Sequence, residues 1–172
     1  NEADISWKDT PKNYALLLKK SYQVIKKANP NAKVAFAGLA DPSGIQKFFI
    51  PVLDELERIK DSPNDKYFEI AGFHWSGQFE GDYQKEILPT KTYYLDISVN
   101  EMKNEMEKRG YKNIPIWIGE MSYNDGKPEE LSFLKQSRSE KEQANELLKR
   151  YIYSISKGVA KIFWVTLTEW HN

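Results

Sequence analysis

The sequence predicts an α/β protein built on a parallel sheet. Short apolar runs with a β-branched and aromatic bias alternate with amphipathic helical stripes, in the order helix, then strand–helix three times, then strand. Strictly alternating units of this kind form parallel sheets with right-handed crossovers. At 172 residues, and without an internal repeat or linker, the chain is expected to form a single domain over residues 1–172.

The first predicted helix has clear start and stop signals. Thr10 is a good N-cap, Pro11 suits the first helical position, and Asn29-Pro30 ends the helix. One face of this helix is marked by residues at helical spacing, which are Tyr14, Leu17, Leu18, Ser21 and Ile25. A short buried strand over 33–38 follows.

The second predicted helix leads into a strand that ends in a histidine. The helix is amphipathic, with Phe49, Val52, Leu53, Leu56 and Ile59 on one face. The next strand covers 68–75 and contains His74 near its end. The loop over 76–92 is long for a compact domain, and loops of that length tend to be functional.

Two capping-box patterns predict the starts of the remaining helices. Ser98 with Glu101 predicts a helix that runs to Arg109 and ends at Gly110, and Ser139 with Glu142 predicts a helix closed by Gly158. The apolar stripe of the last helix is expected to be core and consists of Ala144, Leu147, Leu148, Tyr151, Ile152 and Ile155. The final strand is predicted over 161–167.

The strand before the polar loop 124–138 organises the predicted site. Its apolar run is expected to be buried on both faces, yet it stops on Glu120. By alternation, Ile116, Ile118 and Glu120 would share one face and Trp117 would lie on the other. A carboxylate at the carboxyl end of a parallel strand is where α/β barrels place their chemistry. The alternative is a structural carboxylate paired with a Lys or Arg.

Composition excludes several classes of function. Lys plus Arg and Asp plus Glu number 25 each, which argues against nucleic-acid or anionic-membrane partners. There is no Cys and there are only two His, so no metal site is expected. No apolar run approaches the roughly 18 residues of a membrane span. The chain begins at Asn1 without Met, so we expect that a natural start precedes it.

These residues resemble the retaining glycosidases of clan A, which are (β/α)8 barrels. Asn1-Glu2 resembles the Asn-Glu pair that ends the fourth strand, and Glu120 in Ile-Trp-Ile-Gly-Glu resembles the nucleophile that ends the seventh. His74 resembles the His or Tyr after strand six, and Trp170 the aromatic after strand eight. The resemblance covers the chain from the end of strand four through strand eight. It therefore implies part of a TIM barrel, a fold that takes about 250 residues in full.

The resemblance implies a retaining glycoside hydrolase that cleaves β-linked oligo- or polysaccharides without a cofactor or metal. Such enzymes use two carboxyl groups about 5–5.5 Å apart. Glu120 would be the nucleophile and Glu2 the acid/base, although Glu2 could instead be part of a frayed terminus. His74 would orient Glu120 or bind a sugar hydroxyl, unless it is a core histidine. The candidates for substrate binding are Asn1, His74, Trp75, Tyr123 and Trp170; Trp170 could otherwise pack under a helix.

Two alternatives remain open at this stage. The first is a non-catalytic half barrel or enzyme fragment that needs a partner segment, the missing N-terminal half, to close the barrel. Open edges at the strands 33–38 and 161–167 favour it. The second is a sugar-phosphate or metal-dependent barrel enzyme, which the scarcity of His and the lack of a Gly-rich phosphate loop disfavour. An extracellular location follows from the resemblance alone.

Overall fold

Helices and strands alternate along the chain, as the sequence predicts. The computed structural model describes residues 2–75, 95–122 and 139–165. The helices in these ranges are α1 (Ala3–Ser6), α2 (Pro11–Ala28), α3 (Ile50–Arg58), which continues a π-helical turn (Ile45–Phe49), α4 (Leu95–Lys108) and α5 (Glu140–Ser156). The strands are β1 (Ala71–Phe73), β2 (Ile116–Met121) and β3 (Val159–Trp164). None of these helices is long and apolar enough to cross a membrane.

Within the described ranges the strands form one parallel sheet in the order β1-β2-β3. Gly72 pairs with Trp117, and Trp117 pairs with Lys161. The predicted strand over 33–38 is an extended segment beside β1 rather than a regular strand. Isolated parallel bridges join Ala35 to Ile70 and Leu39 to Phe73. The α/β class with a parallel sheet is therefore confirmed.

Two predicted helix starts are confirmed and one is wrong. The Thr10 side chain accepts a hydrogen bond from the Asn13 amide with Pro11 at the start of α2, and Ser139 with Glu142 forms the full capping box of α5. Ser98 is no cap, because α4 begins at Leu95 and Ser98 lies inside it, 1% exposed. Leu95, which is also buried, is the first residue described after the range 76–94, so the helix is already formed one turn before the capping pattern.

The core lies between one face of the sheet and the helices α2, α3 and α4. β1 and β2 contribute Phe73, Ile116 and Ile118, each fully buried. The helices contribute Val52, Leu53 and Leu56 from α3 and Val99 and Met102 from α4. This one-sided burial fixes which side of the sheet faces the helices. The opposite face of the sheet is not covered by these helices.

The expectation that the whole stripe of α5 is core is wrong for this chain. Leu148, Ile152 and Ile155 are 61%, 67% and 62% exposed, whereas Arg150 and Ser154 are buried. The three apolar side chains lie on one side of α5, and no described element covers them. Phe163 on the neighbouring strand β3 is 44% exposed. We call these four residues the exposed apolar edge.

Candidate active site

Glu120 lies near the carboxyl end of β2, but on a different face from the one that alternation predicts. The pairing of β2 with β3 shifts register between Ile118 and Met121, and both of these residues are buried. The irregularity puts two residues between consecutive core positions, so Gly119 and Glu120 escape the core. Glu120 therefore shares a cleft with Trp117 and does not share a face with Ile118. Its side chain is 42% exposed.

His74 follows β1 and is held beside β2. Its amide donates to the carbonyl of Leu39, and the amide of the next residue, Trp75, donates to the carbonyl of Glu120. The imidazole lies against Gly119, where an added Cβ would come 3.1 Å from the ring carbon Cδ2. Glycine at this position lets the ring approach β2 closely. The His74 side chain is 8% exposed.

Glu2 directly precedes the one-turn helix α1. Its carbonyl accepts hydrogen bonds from the amides of Ile5 and Ser6, at 3.1 and 2.8 Å. Its backbone is left-handed, with φ 53° and ψ 51°. Ala3, the next residue, is buried in the core at 6% exposure. In this structure Glu2 thus has defined backbone contacts, and its side chain is 35% exposed.

The structure brings the three titratable candidates together. Nδ1 of His74 lies 3.3 Å from Oε1 of Glu2 and 3.6 Å from Oε2 of Glu120. One oxygen of each carboxylate and this nitrogen all lie within 4.8 Å of one another. The histidine is buried, while both carboxylates reach solvent. The arrangement offers two neighbouring carboxylates to a ligand, with an imidazole donor beneath them.

The carboxylate of Glu120 opens onto a cleft on the face of the sheet away from α3 and α4. The cleft has a volume of about 250 Å³. Small residues from adjacent segments make room for it, and its walls include Ala35, Gly38, Gly72, His74, Trp117 and Gly119. The cleft runs along the strands from Ile70 and Ala71 to His74 and Glu120. The two polar residues therefore lie at its carboxyl end, where α/β folds usually bind ligands.

The remaining predicted site residues are either buried or outside the described ranges. Trp75 is 2% exposed, and its ring lies 5.2 Å from the guanidinium carbon of Arg150 on α5. This position corresponds to packing under a helix, and Trp75 does not line the cleft. Asn1, Tyr123 and Trp170 lie outside the described residues, as does the long loop 76–92. Their expected roles stay predictions.

The sequence interpretation missed Trp117 as a cleft residue and gave no role to Lys161. Trp117 lines the cleft, and Nζ of Lys161 lies 4.4 Å from the centre of its ring. The centre of the Phe163 ring is 5.7 Å from that of Trp117. Strict alternation places Trp117 opposite the core residues Ile116 and Ile118. Alternation therefore predicts the face of Trp117 correctly. Glu120 lies on the same side only because of the register shift between Ile118 and Met121.

The same three side chains could also hold a metal ion. Glu2, His74 and Glu120 each offer one ligand atom within the 4.8 Å group. Carboxylate oxygen and imidazole nitrogen are ordinary ligands of zinc and other divalent ions. Partly exposed carboxylates are also common without a metal. The chemistry of the group therefore admits both a carboxylate-pair reaction and metal binding.

The fold and the site define an α/β protein that presents a pair of carboxylates at the carboxyl edge of a parallel sheet. A solved structure similar to this chain is the crystal structure of a glucosidase from Croceicoccus marinus, with a TM-score of 0.67 and 16% sequence identity. The match covers 95% of this chain and 31% of the glucosidase chain. No family model and no curated protein matches the sequence. At this identity the likeness concerns the fold.

Proposed function

We propose that this chain carries the two catalytic carboxylates of a retaining glycoside hydrolase that acts on β-linked oligo- or polysaccharides. Glu120 is the nucleophile and Glu2 is the acid/base. The proposal depends chiefly on one observation, the approach of a Glu2 oxygen and a Glu120 oxygen to within 4.8 Å. The fold shared with a glucosidase supports it.

The separation of the carboxylates favours retention over inversion. Inverting enzymes keep their two carboxyl groups about 6.5–9.5 Å apart to admit a water molecule, whereas retaining enzymes keep them about 5–5.5 Å apart. One oxygen of Glu2 and one oxygen of Glu120 lie within 4.8 Å of each other, and this close approach of single atoms agrees with the shorter of the two group separations. Direct attack by a carboxylate therefore fits this spacing better than attack by an intervening water.

The reaction proceeds in two steps that use each carboxyl group in turn. In the first, a Glu120 oxygen forms a bond to the anomeric carbon while the bond to the leaving oxygen breaks, and Glu2 gives its proton to that oxygen. In the second, Glu2 takes a proton from water, the water oxygen attacks the anomeric carbon, and the bond to Glu120 breaks. Both groups return to their starting protonation, so no cofactor is consumed.

His74 serves both carboxylates in this scheme. Its Nδ1 lies 3.3 Å from Oε1 of Glu2, within the distance of a hydrogen bond, and 3.6 Å from Oε2 of Glu120, just beyond that distance. Burial of the ring under the carboxylates limits its motion. His74 thereby lies beside both reactive oxygens, and a small movement of the Glu120 carboxylate brings it within hydrogen-bond distance of the same nitrogen.

We further propose that additional strand–helix units complete the sheet around this site. The chain spans about a third of the glucosidase it resembles, 31% of that chain. The exposed apolar edge of Leu148, Ile152, Ile155 and Phe163 offers a surface for such a unit. A strand placed along β3 would extend the sheet and bring its own side chains beside Phe163, and its helix would cover the three residues of α5. In the alternative, a non-catalytic half barrel, the same edge serves only for association.

The experiment is a comparison of carboxamide variants on aryl glycosides and on oligosaccharides. The purified protein is assayed with 4-nitrophenyl β-glucoside, β-xyloside and β-galactoside and with β-linked gluco- and xylo-oligosaccharides. Glu120→Gln and Glu2→Gln are compared with Glu107→Gln, a matched control whose exposed side chain lies on α4. Loss of activity in the first two alone supports the proposal. Full activity of Glu120→Gln overturns it.

A further inference from the structure

Glu2 is held in a backbone conformation that its own side chain does not favour. Its φ of 53° is left-handed, and Asn113, of a residue type that tolerates this region, is the other described non-glycine residue with positive φ. Such a conformation persists only where the surroundings impose it. The helix that follows, α1, has four residues and is too short to be stable by itself. Contacts outside α1 must therefore fix Glu2.

Asp4 supplies the hydrogen-bonded contact between α1 and the rest of the protein. Its Oδ1 accepts a hydrogen bond of 2.8 Å from the amide of Ala40. Ala40 follows Leu39, whose carbonyl accepts from the His74 amide at 2.8 Å and whose amide donates to Gly72 at 3.2 Å. Two hydrogen bonds and one peptide unit thus connect the Asp4 carboxylate to the backbone that carries His74.

Gly44 provides the space for this carboxylate. A Cβ added at Gly44 would lie 2.5 Å from Oδ2 of Asp4, a separation that requires one of them to move. The backbone of Gly44 is right-handed, with φ −62° and ψ −19°, so its conformation does not call for glycine. Steric room beside Asp4 accounts for the residue at this position.

We infer that Asp4 is a positioning residue that sets the Glu2 carboxylate against His74 and Glu120, with Gly44 as its steric partner. The inference rests on the proposed function for its catalytic consequence, because Glu2 is the acid/base there. Its structural part stands on the contacts alone. Asp4 acts through the Glu2 backbone and touches no reacting atom.

The structural part is tested by NMR on the 172-residue chain, independently of any activity. The ring resonances of His74 report on the Glu2 carboxylate 3.3 Å away, and Glu2→Gln gives the reference displacement. Asp4→Ala should displace the same resonances in the same direction, whereas Asp4→Asn, which keeps an oxygen acceptor for the Ala40 amide, should leave them near the wild-type positions. Unchanged His74 resonances in a folded Asp4→Ala protein would overturn the inference. A change in the unfolding temperature alone does not count as support.

A double-mutant cycle tests the pairing of Asp4 with Gly44. Gly44→Ala should displace the His74 resonances in the wild-type background, and much less in the Asp4→Ala background, where the carboxylate is absent. Equal displacement in both backgrounds would contradict the pairing. Interacting neighbours give non-additive effects of this kind, while independent sites add.

The catalytic part is tested by the dependence of rate on the leaving group. A substrate whose leaving phenol is acidic needs little proton donation, whereas an alkyl glycoside needs it fully. Asp4→Ala should therefore lower kcat/KM about tenfold or more for an alkyl glycoside and much less for 4-nitrophenyl glycosides, with Asp4→Asn close to wild type. Equal decreases in kcat/KM for both substrates would show that Asp4 does not act on proton donation by Glu2 and has only a structural role. Full glycosidase activity of Glu120→Gln and Glu2→Gln, together with the expected NMR response, would overturn the proposed function and leave the positioning contact intact.

Discussion

Nδ1 of His74 lies 3.3 Å from Oε1 of Glu2, although the two residues belong to different segments of the chain. The contact joins the start of α1 to the end of β1, and Glu120 on β2 approaches the same nitrogen at 3.6 Å. Three segments thus meet at one nitrogen atom. A buried imidazole shared by two solvent-exposed carboxylates is the feature from which the proposed chemistry follows.

Replacing His74 should lower activity without unfolding the protein. A hydrogen bond to a charged group contributes about 1.5–3 kcal/mol, so we expect His74→Ala to lower kcat/KM about tenfold or more. His74→Asn, which keeps a donor near the position of Nδ1, should recover part of that loss. Steady-state kinetics of both variants test this expectation, with circular dichroism as the control for folding. Equal activity of His74→Ala and wild type would remove His74 from the site.

Acid should destabilise the segment that flanks β1 through Glu69. Burial opposes ionisation of this carboxyl, but hydrogen bonds from Lys26, Lys33 and the Val34 amide outweigh it and hold its pKa below the ordinary value of 4.5. A carboxyl whose pKa is lower in the folded state stabilises the fold above the unfolded pKa and loses that contribution as pH falls through the folded value.

Glu69→Gln should therefore unfold at a lower temperature than wild type at pH 7, and the difference should shrink below pH 4.5. For a chain of this size, a loss of about 1 kcal/mol corresponds to about 2–4 °C in Tm. Differential scanning calorimetry from pH 3 to 7 measures it. Glu107→Gln, on the exposed side of α4, is the control that should show no such pH dependence. A Tm difference that grows in acid would contradict the assignment.

A charged side chain introduced into the exposed apolar edge should lower the stability of the protein only where further strand–helix units cover that edge. Ile152→Lys should change the stability of the 172-residue chain by less than about 0.5 kcal/mol, as at other surface positions. In a longer polypeptide that buries this side chain, the same change should cost about 1.5–3 kcal/mol. Denaturant unfolding of both proteins provides the comparison.

Leu53→Ala is the matched control for that comparison. Leu53 is fully buried in α3, so its truncation should cost about 2–5 kcal/mol in either protein. If Ile152→Lys changes the free energy of unfolding of the longer polypeptide as little as that of the 172-residue chain, additional strand–helix units do not pack on this edge.

A chelator should leave the hydrolysis unchanged. The proposed reaction uses two carboxyl groups and water, so dialysis against EDTA should not alter kcat. Added Zn²⁺ should inhibit, because Glu2, His74 and Glu120 together offer three ligand atoms, and His74→Ala should weaken the inhibition. Loss of activity in EDTA that returns with a divalent ion would favour the metal-dependent alternative.

Much of the fold follows from local signals in the sequence. The cap of α2 at Thr10 and the capping box at Ser139 are properties of a few adjacent residues, and both are confirmed. The capping pattern at Ser98 is equally good locally, but α4 already includes Leu95, and both residues are buried. Local patterns therefore predict helix ends only where tertiary packing does not decide otherwise.

The site depends on contacts between distant segments of the chain, and local sequence patterns do not reveal such contacts. The end of β2 marks Glu120, but the register shift after Ile118 changes the face on which it lies. Gly119, a glycine inside the strand, is the sequence signal for such an irregularity, and strict alternation does not take it into account. The left-handed turn at Glu2 depends on Asp4 reaching Ala40. Exposure of Ile152 depends on which elements pack against α5, which periodicity does not reveal.

Covalent trapping of the nucleophile is the measurement to make first. The protein is incubated with 2-deoxy-2-fluoro-β-glucosyl and β-xylosyl fluorides, which form the glycosyl ester but slow its hydrolysis, and intact mass is followed by peptide mapping. We predict a mass increase of one fluorosugar on the peptide that contains Glu120, and none with Glu120→Gln. A label on a different carboxylate of an active protein, or inversion at the anomeric carbon in the first-formed product, would contradict Glu120 as the nucleophile of a retaining enzyme.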